Sequence, residues 1–438
     1  MQSETQKKSS SSWEDTLTSY FKPKILAMLA LGFASGLPFM MYFSKLSRWL
    51  ADAGVEKSTI GFFYWIGLAY ALKFLWAPVV DRTRIPFFTR KLGQRRSWML
   101  IAVLGTVIGL ALIASWQVEA GLGILVIGAF VLTYSGATLD ISVDAWRIES
   151  APNDEQANMA AVYQLGYRFA IMAAGFAMAG ADVIGWNNIY FLMAALMALN
   201  IIVILYIREP FHEKRAKTIG LRAAFKANVI DPYLSFIERY GKWTLTVLAL
   251  VALYRLSDFT MGVMTQPFYA DIGYSKTQVG LITGTFGPWP LIFGAFISGF
   301  SCVRFGLMRT LIAGAVLTII TNGAFAWLAT QTDASTVKLL VTIGADNIAA
   351  GFVGTVFIAY MSSLANRKFA ATQYALLSSA YALICKFIAG FSGILYEAVG
   401  AKNFFLLTAS YGLPALIIIF IIIAKAPDAA KGITTDNE

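Results

Sequence analysis

Gly54-Val-Glu-Lys-Ser-Thr-Ile-Gly61 returns as Gly273-Tyr-Ser-Lys-Thr-Gln-Val-Gly280, 219 residues later in a chain of 438. Three of the eight positions are identical, and each copy stands between the first and second long apolar stretches of its half. That shared place in the hydropathy pattern carries more weight than the identities. The chain reads as a duplication of two equivalent halves, a recurring build of helical membrane transporters.

Composition supports a membrane setting. The chain is 58% hydrophobic and only 14% charged, with a mean hydropathy of +0.64, whereas soluble proteins carry about 25% charge and about 45–50% apolar residues. Fourteen per cent aromatics, eleven of them Trp, suit interfacial belts and a ligand-contacting cavity. The two cysteines, Cys302 and Cys385, lie far apart and read as core fillers, so no disulfide and no zinc site are expected. The single histidine, His212, lies in a charged connecting loop, which leaves proton chemistry within the membrane to carboxylates. No cofactor is expected. No cleavable signal is apparent at the polar N-terminus.

Apolar stretches of about 20 residues, each able to cross about 30 Å of hydrocarbon, fall near 24–44, 59–80, 97–117, 122–146, 157–181, 187–207, 243–268, 277–299, 307–330, 338–362, 370–394 and 403–424. The expected architecture is therefore all-α: an N-terminal tail 1–23, a six-helix bundle 24–207, a connector 208–242, a second six-helix bundle 243–424 and a tail 425–438. Sidedness follows from Lys and Arg placement. With the termini inside, inward segments hold 25 of these residues and outward loops hold six, namely Lys45, Arg48, Lys57, Lys276, Lys338 and Lys402. The +10 net charge then belongs to topology and lipid headgroups. The basic stretch Arg82–Arg96 reads as a lipid-facing loop between two spans, and no nucleic-acid partner is expected. Trp13, Leu17, Tyr20 and Phe21 recur at helical spacing, which fits either an interfacial helix or a frayed tail.

An ionisable side chain at mid-helix costs about 2.5–3.5 kcal/mol on insertion scales, so it normally faces a cavity or a partner. Lys73 lies on the second span, Asp140 and Asp144 on one face of the fourth, and Arg168 on the fifth. Arg255 and Asp258 lie on the seventh, Asp346 and Asn347 on the tenth, and Lys386 on the eleventh. Paired ions stapling helices together would explain some of these, most directly the i,i+3 neighbours Arg255 and Asp258. The set as a whole fits a central water-filled path better. Asp140, with Asp258 and Asp346, is the candidate for proton coupling. Asp81, Arg82, Asp144, Arg147 and Glu149 gather at the inward ends of the second and fourth spans. They form either a gate latch or an ordinary solvated helix end.

Several of these residues sit in longer motifs: Gly32-Phe-Ala-Ser-Gly-Leu-Pro-Phe39, Tyr70-Ala-Leu-Lys-Phe-Leu-Trp-Ala-Pro78 with Asp81-Arg82, and Asp140-Ile-Ser-Val-Asp-Ala-Trp-Arg-Ile-Glu149. Gly166-Tyr-Arg168, Tyr254-Arg-Leu-Ser-Asp258, Pro267-Phe-Tyr269 and Ala371-Thr-Gln-Tyr-Ala-Leu-Leu-Ser378 follow in order. From about residue 30 to about 395 the chain resembles the muropeptide permeases of the AmpG family, within the major facilitator superfamily and related to acetyl-coenzyme A transporters. The resemblance implies twelve core helices in two pseudo-symmetric bundles. It also implies proton-driven uptake of N-acetylglucosaminyl-1,6-anhydro-N-acetylmuramic acid, with or without its peptide, through the bacterial cytoplasmic membrane. It gives Lys73, Arg168 and Arg255 to the substrate's carboxylates, with Tyr70, Gln164 and Asn347 as further substrate contacts. A monomer is expected. Departures include Ala69 before Tyr70, Leu139 before Asp140, and Gln94 interrupting an Arg run.

Other classes fit less well. An acyltransferase or hydrolase needs an activated nucleophile with a partnered base, and no catalytic motif surrounds His212. No Gly-Lys-Ser/Thr phosphate loop appears. A non-transporting sensor on the same fold, or a carrier of another anion such as an acyl-coenzyme A, remains the alternative.

Overall fold

The computed structural model describes residues 22–150, 153–210, 231–364 and 370–431, and every regular element among them is a helix. Ten helices are long and apolar enough to cross a membrane, and two of these hold a reversal of the chain. Asn158–Tyr206, at 49 residues, would extend about 70 Å if straight, over twice the hydrocarbon thickness. Gly185 interrupts it at φ 78°, ψ 160°, backbone essentially confined to glycine. Ile189 then packs back against Gly180, so the chain has reversed. Gly400 does the same at φ 76°, ψ 162°, and the rings of Tyr396 and Phe404 meet across it at 5.3 Å. The chain thus makes twelve passes. They are α1 (Pro23–Asp52), α2 (57–82), α3 (Gln94–Ala114), α4 (Gly123–Ser150), α5 (153–184) and α6 (186–206), then α7 (244–272), α8 (Lys276–Phe305), α9 (Leu307–Leu328), α10 (Thr336–Leu364), α11 (370–399) and α12 (401–425). A short helix, Asp231–Tyr240, precedes α7.

One boundary differs instructively from the sequence expectation. The first span was expected to end at 44, leaving Lys45 and Arg48 in a loop, yet α1 continues to Asp52 and buries both. Arg48 is accommodated because its guanidinium donates to the Tyr274 carbonyl (2.6 Å) and to Asp52 (2.7 Å). Pro38 sits within α1 and is followed by a π-helical segment, Met41–Leu46. A second one, Ile282–Phe286, precedes Pro288-Trp-Pro290 in α8. A widened turn thus lies near each of these prolines, whose rings remove a backbone donor from the helix. The candidate interfacial residues Trp13 to Phe21, and His212, lie outside the described residues.

Within each half, glycines bring backbones together, as small residues do in membrane helices. Gly32 lies on the Tyr163 backbone and Gly166 on that of Leu29, joining α1 to α5. Gly294 and Gly351 join α8 to α10 in the same manner.

The two halves meet where the repeated segments lie. Gly61 of α2 faces the Gly390 carbonyl of α11, and Gly393 packs on the Lys57 carbonyl. Gly280 and Gly284 of α8 pack against Gly175 of α5. The last glycine of each repeat is therefore a crossing point with the opposite half. The ion pairs are reciprocal as well: Lys57 Nζ lies 2.7 Å from Asp271 Oδ1, and Lys276 Nζ lies 3.8 Å from Asp52 Oδ2. The same 219 residues separate Lys57 from Lys276 and Asp52 from Asp271. The free N–H groups that start α2 and α8 each meet a carboxylate from the other half. Ser58 donates to Glu397 (3.1 Å) and Thr277 to Asp182 (2.7 Å), where the helix dipole favours negative charge. Beneath them Tyr42, Leu46, Leu50, Ile60 and Phe63 pack with Val263. This seam closes one end of the molecule, the turn end; at the other, the connector end, α1 begins and α12 ends.

Partly exposed ion pairs contribute about 0.2–1 kcal/mol each, so the backbone approach and the apolar layer do most of the closing, and the charges set register. Gly393→Ala places a methyl group on the Lys57 carbonyl, whereas Gly354→Ala on α10 meets open space. With the native cysteines replaced, Val263→Cys is expected to resist a membrane-impermeant maleimide. Gly393→Ala should raise labelling about five-fold, the factor that ~1 kcal/mol commands, and Gly354→Ala should leave it unchanged. Equal labelling in all three proteins would show that backbone approach does not hold this end shut.

Candidate functional site: two reciprocal charged clusters at mid-membrane

The helices lose regular geometry where the charges sit. In α2 the backbone tightens to 3₁₀ turns at Tyr64–Gly67 and Lys73–Leu75, and Trp76 follows at φ −109°. Short 3₁₀ stretches inside a helix often mark functional positions. Lys73 reaches across to α4, its Nζ 3.5 Å from Asp140 Oδ2, with side-chain exposures of 37% and 18%. Tyr70, one turn earlier, lies with its hydroxyl against Gly136. Tyr70, Tyr163 and Tyr167 all stand within electrostatic reach of Asp140. The Tyr70 hydroxyl is buried and finds no hydrogen-bond partner among the described residues, and the Ser35 hydroxyl stands beside Asp140. An orphan such as the Tyr70 hydroxyl costs about 1–3 kcal/mol, a cost that a polar ligand relieves.

The second cluster belongs to the other half. Here α7 breaks at Arg255 (φ −103°, ψ −5°), between stretches 244–254 and 256–272. Arg255 Nη1 lies 2.8 Å from Asp258 Oδ2, the intrahelical pair anticipated from the i,i+3 spacing. Asp346 of α10 feels the charge of both. Beside it a cavity of about 230 Å³ is lined by Asp346 and Asn347, by Gln266 and Tyr269 of α7, and by Arg168 of α5. Gln164 is exposed one turn before Arg168 on the same helix.

Each cluster thus receives a cation from the fifth helix of the opposite half. Arg168 lines the second half's cavity, and Lys386 of α11 stands against Gly67, Phe43 and Tyr70 of the first half. Lys386 is 6% exposed, with its Nζ 3.3 Å from the Gly67 carbonyl and 4.9 Å from the centre of the Phe43 ring. Lys386 is legible in the sequence as an intramembrane charge, but without a role. The repeat offset points to its neighbourhood, because 219 residues beyond Arg168 is Phe387, one position past the lysine.

Two of the expected gate residues, Asp81 and Glu149, meet at one arginine inside the first half. Arg95, only 2% exposed, donates to Asp81 Oδ1 (2.7 Å) and, through two nitrogens, to Glu149 (2.6 and 2.9 Å). It ties α2, α3 and α4 together at the connector end. Asp144 and Arg147 pair within α4 at 3.4 Å, and the side chain of Arg82 lies outside the described residues. Sequence reading missed Arg95 because a run of basic residues between two spans looks like a solvated loop. In fact α3 begins at Gln94, whose amide donates to the Val80 and Asp81 carbonyls that end α2. Glu209 caps the same turn through the N–H groups of Arg95 and Arg96.

Twelve passes in two pseudo-symmetric halves, sealed at one end around a charged interior, are the build of a major facilitator. The Major Facilitator Superfamily profile matches residues 28–261. The anhydromuropeptide permease of Escherichia coli K12 is 32% identical over 403 residues, covering 91% of this chain and 80% of that protein. The putative transporter AmpG 4 of Rickettsia conorii is 31% identical over 413 residues, covering 93% and 99%. Among solved structures, an auto-inhibited POT family peptide transporter superposes with a TM-score of 0.69 at 11% identity, covering 95% of this chain and 98% of that one. A D-xylose-proton symporter gives 0.66 at 14% identity, covering 96% and 100%; at such identities the likeness shows the fold alone. The chain belongs to the AmpG-type anhydromuropeptide permease family of the Major Facilitator Superfamily.

Removing one member of a buried charge cluster leaves the others uncompensated. Arg95→Ala is expected to lower stability by about 2–3 kcal/mol, below the fully buried figure because both carboxylates are partly exposed. Arg95→Lys restores little, since an ammonium cannot reproduce the fork. Detergent-solubilised protein followed by thermal size-exclusion tests this. A wild-type melting point in Arg95→Ala would remove Arg95 from the account.

Proposed function

We propose that the chain is a proton-coupled importer that carries anhydro-muropeptides between its two halves into the cytoplasm, feeding peptidoglycan recycling. The carrying observation is the reciprocal pair of mid-membrane clusters, in which each half sets a carboxylate beside a cation and receives a further cation from the other half. Substrate class rests on the family and on relatives bearing the name anhydromuropeptide permease. The reading places the protein in the bacterial cytoplasmic membrane as a monomer. Both termini are inside, as the 25 inward against six outward Lys and Arg residues favour. The turn end then faces outward and is shut, and solvent reaches Lys73 and Asp140 from the cytoplasm.

The chemistry follows from charge balance. Protonating Asp140 neutralises it and frees Lys73 to take a substrate carboxylate; losing that proton returns Lys73 to Asp140 and releases the ligand. Asp258 is held by Arg255, whereas Asp346 has no ion-pair partner among the described residues and is the second proton carrier. Arg168, Arg255, Asn347, Tyr70 and Gln164 supply the remaining polar contacts. A cavity of about 230 Å³ is smaller than typical ligand sites of about 300–1,000 Å³, so a disaccharide spans both clusters rather than lying in one. Breaking the reciprocal Lys–Asp pairs opens the turn end, and the Asp81–Arg95–Glu149 cluster keeps the first half rigid as it rocks.

Proteoliposomes with an inward proton gradient test the reading. Wild-type protein accumulates labelled anhydro-muropeptide. Asp140→Asn is expected to lose gradient-driven accumulation by about tenfold or more, ~1.4 kcal/mol of coupling, while still exchanging internal for external ligand. Accumulation at the wild-type rate by the variant would contradict the coupling role. Absence of uptake by folded wild-type protein would move the substrate to another anion.

A further inference from the structure

We propose that Lys386 is the residue that reads a carboxylate on the transported ligand, and that the aromatic box of Phe39, Phe43 and Tyr70 stores its ammonium until the ligand takes the box's place. The proposal rests on the transport reading above and deepens it.

Lys386 is under-compensated where it stands. It lies in the middle of α11, and its ammonium has one hydrogen-bond acceptor in the structure, the Gly67 carbonyl at 3.3 Å. An ammonium carries three donors. Its other neighbours are ring faces: Phe43 at 4.9 Å, Tyr70 at 5.6 Å and Phe39 at 6.0 Å from their centroids. Desolvated cation–π contacts are worth about 2 kcal/mol, enough to hold the side chain and weak enough to be exchanged. No carboxylate pairs with Lys386 among the described residues. The nearest, Asp140, already pairs with Lys73, and both stand within electrostatic reach of Lys386. The cluster therefore carries one positive charge in excess, which one ligand carboxylate balances.

The box is built before any ligand arrives. Phe39 packs 4.4 Å from Phe43 and edge-on to Tyr70 at 5.5 Å, and Tyr64 closes on Phe43 at 4.9 Å. Flat rings that accept an ammonium also accept the C–H face of a sugar ring. When Lys386 turns to a carboxylate, it uncovers those rings for the saccharide attached to it. One side-chain movement thus creates both the anion contact and the stacking surface. It also releases α11 from Gly67 of α2, so recognition is joined to the seam between the halves.

A purely structural tether would make a different prediction. The probes are N-acetylglucosaminyl-1,6-anhydro-N-acetylmuramic acid, whose lactyl group is a free carboxylate, and the same disaccharide as its lactyl methylamide. Both compete against labelled substrate in proteoliposomes holding wild-type, Lys386→Met, Lys386→Arg or Phe43→Leu protein. Wild type is expected to favour the acid by about tenfold, the scale of one charge-assisted hydrogen bond. Lys386→Met should bring the acid down to the amide's affinity without moving the amide, and Lys386→Arg should restore part of the preference. Phe43→Leu keeps the lysine but removes its nearest ring, and should raise the acid-to-amide ratio. An unchanged ratio in Lys386→Met, an equal loss of both ligands there, or a lower ratio in Phe43→Leu would overturn the proposal. If wild type binds neither probe, the transport reading fails first, and this inference falls with it.

Discussion

Close backbone contact between the halves at the turn end is the constraint on which the rest of the arrangement depends. Gly61 and Gly393 let α2 and α11 cross without intervening side chains, and Gly175 and Gly280 do so for α5 and α8. Because the lipid tails are as apolar as the helices, association in a membrane relies on such fit and on polar contacts rather than on the hydrophobic effect. The reciprocal pairs Lys57–Asp271 and Lys276–Asp52 then select one register of the seam. A pseudo-two-fold axis is a physical necessity here, since each repeat supplies half of every contact.

That seam explains why costly charges are tolerated at mid-membrane. It fixes α2 against α11 and α5 against α8, and these are the helices that carry Lys73, Lys386 and Arg168. Lys386 and Arg168 are thereby delivered to the opposite half, while Lys73 pairs with Asp140 within its own. The irregular backbone at Lys73, and again at Arg255, stands where polar groups line the interior, the setting in which broken helices survive in membranes.

Much of this was legible beforehand. The twelve passes, the duplication and the list of intramembrane charges follow from hydropathy and spacing, and the Arg255–Asp258 pair follows from its i,i+3 interval. Partnerships across helices were not legible, because periodicity along one helix says nothing about which helix faces it. Lys73 and Asp140 were singled out separately, but their contact was not. The octapeptide was read as a sign of duplication, when its lysine and its last glycine are the seam itself in each copy; Asp52 and Asp271 stand just outside it. Burial misled in the other direction at Arg48 and Arg95, where polar residues that look like loop are inserted in helix ends by contacts with distant carbonyls and carboxylates; Lys45, equally buried, bonds only to the neighbouring Ser44 among the described residues.

The most direct test of the seam as a working gate is a distance across it. Spin labels at Glu56 in the first half and Thr332 in the second, measured by double electron–electron resonance in lipid nanodiscs, report the turn end without touching its contacts. A single short distance is expected without ligand, joined by a longer population when ligand and acidic pH are supplied together. A protein that transports while that distance stays fixed under every condition would contradict the account.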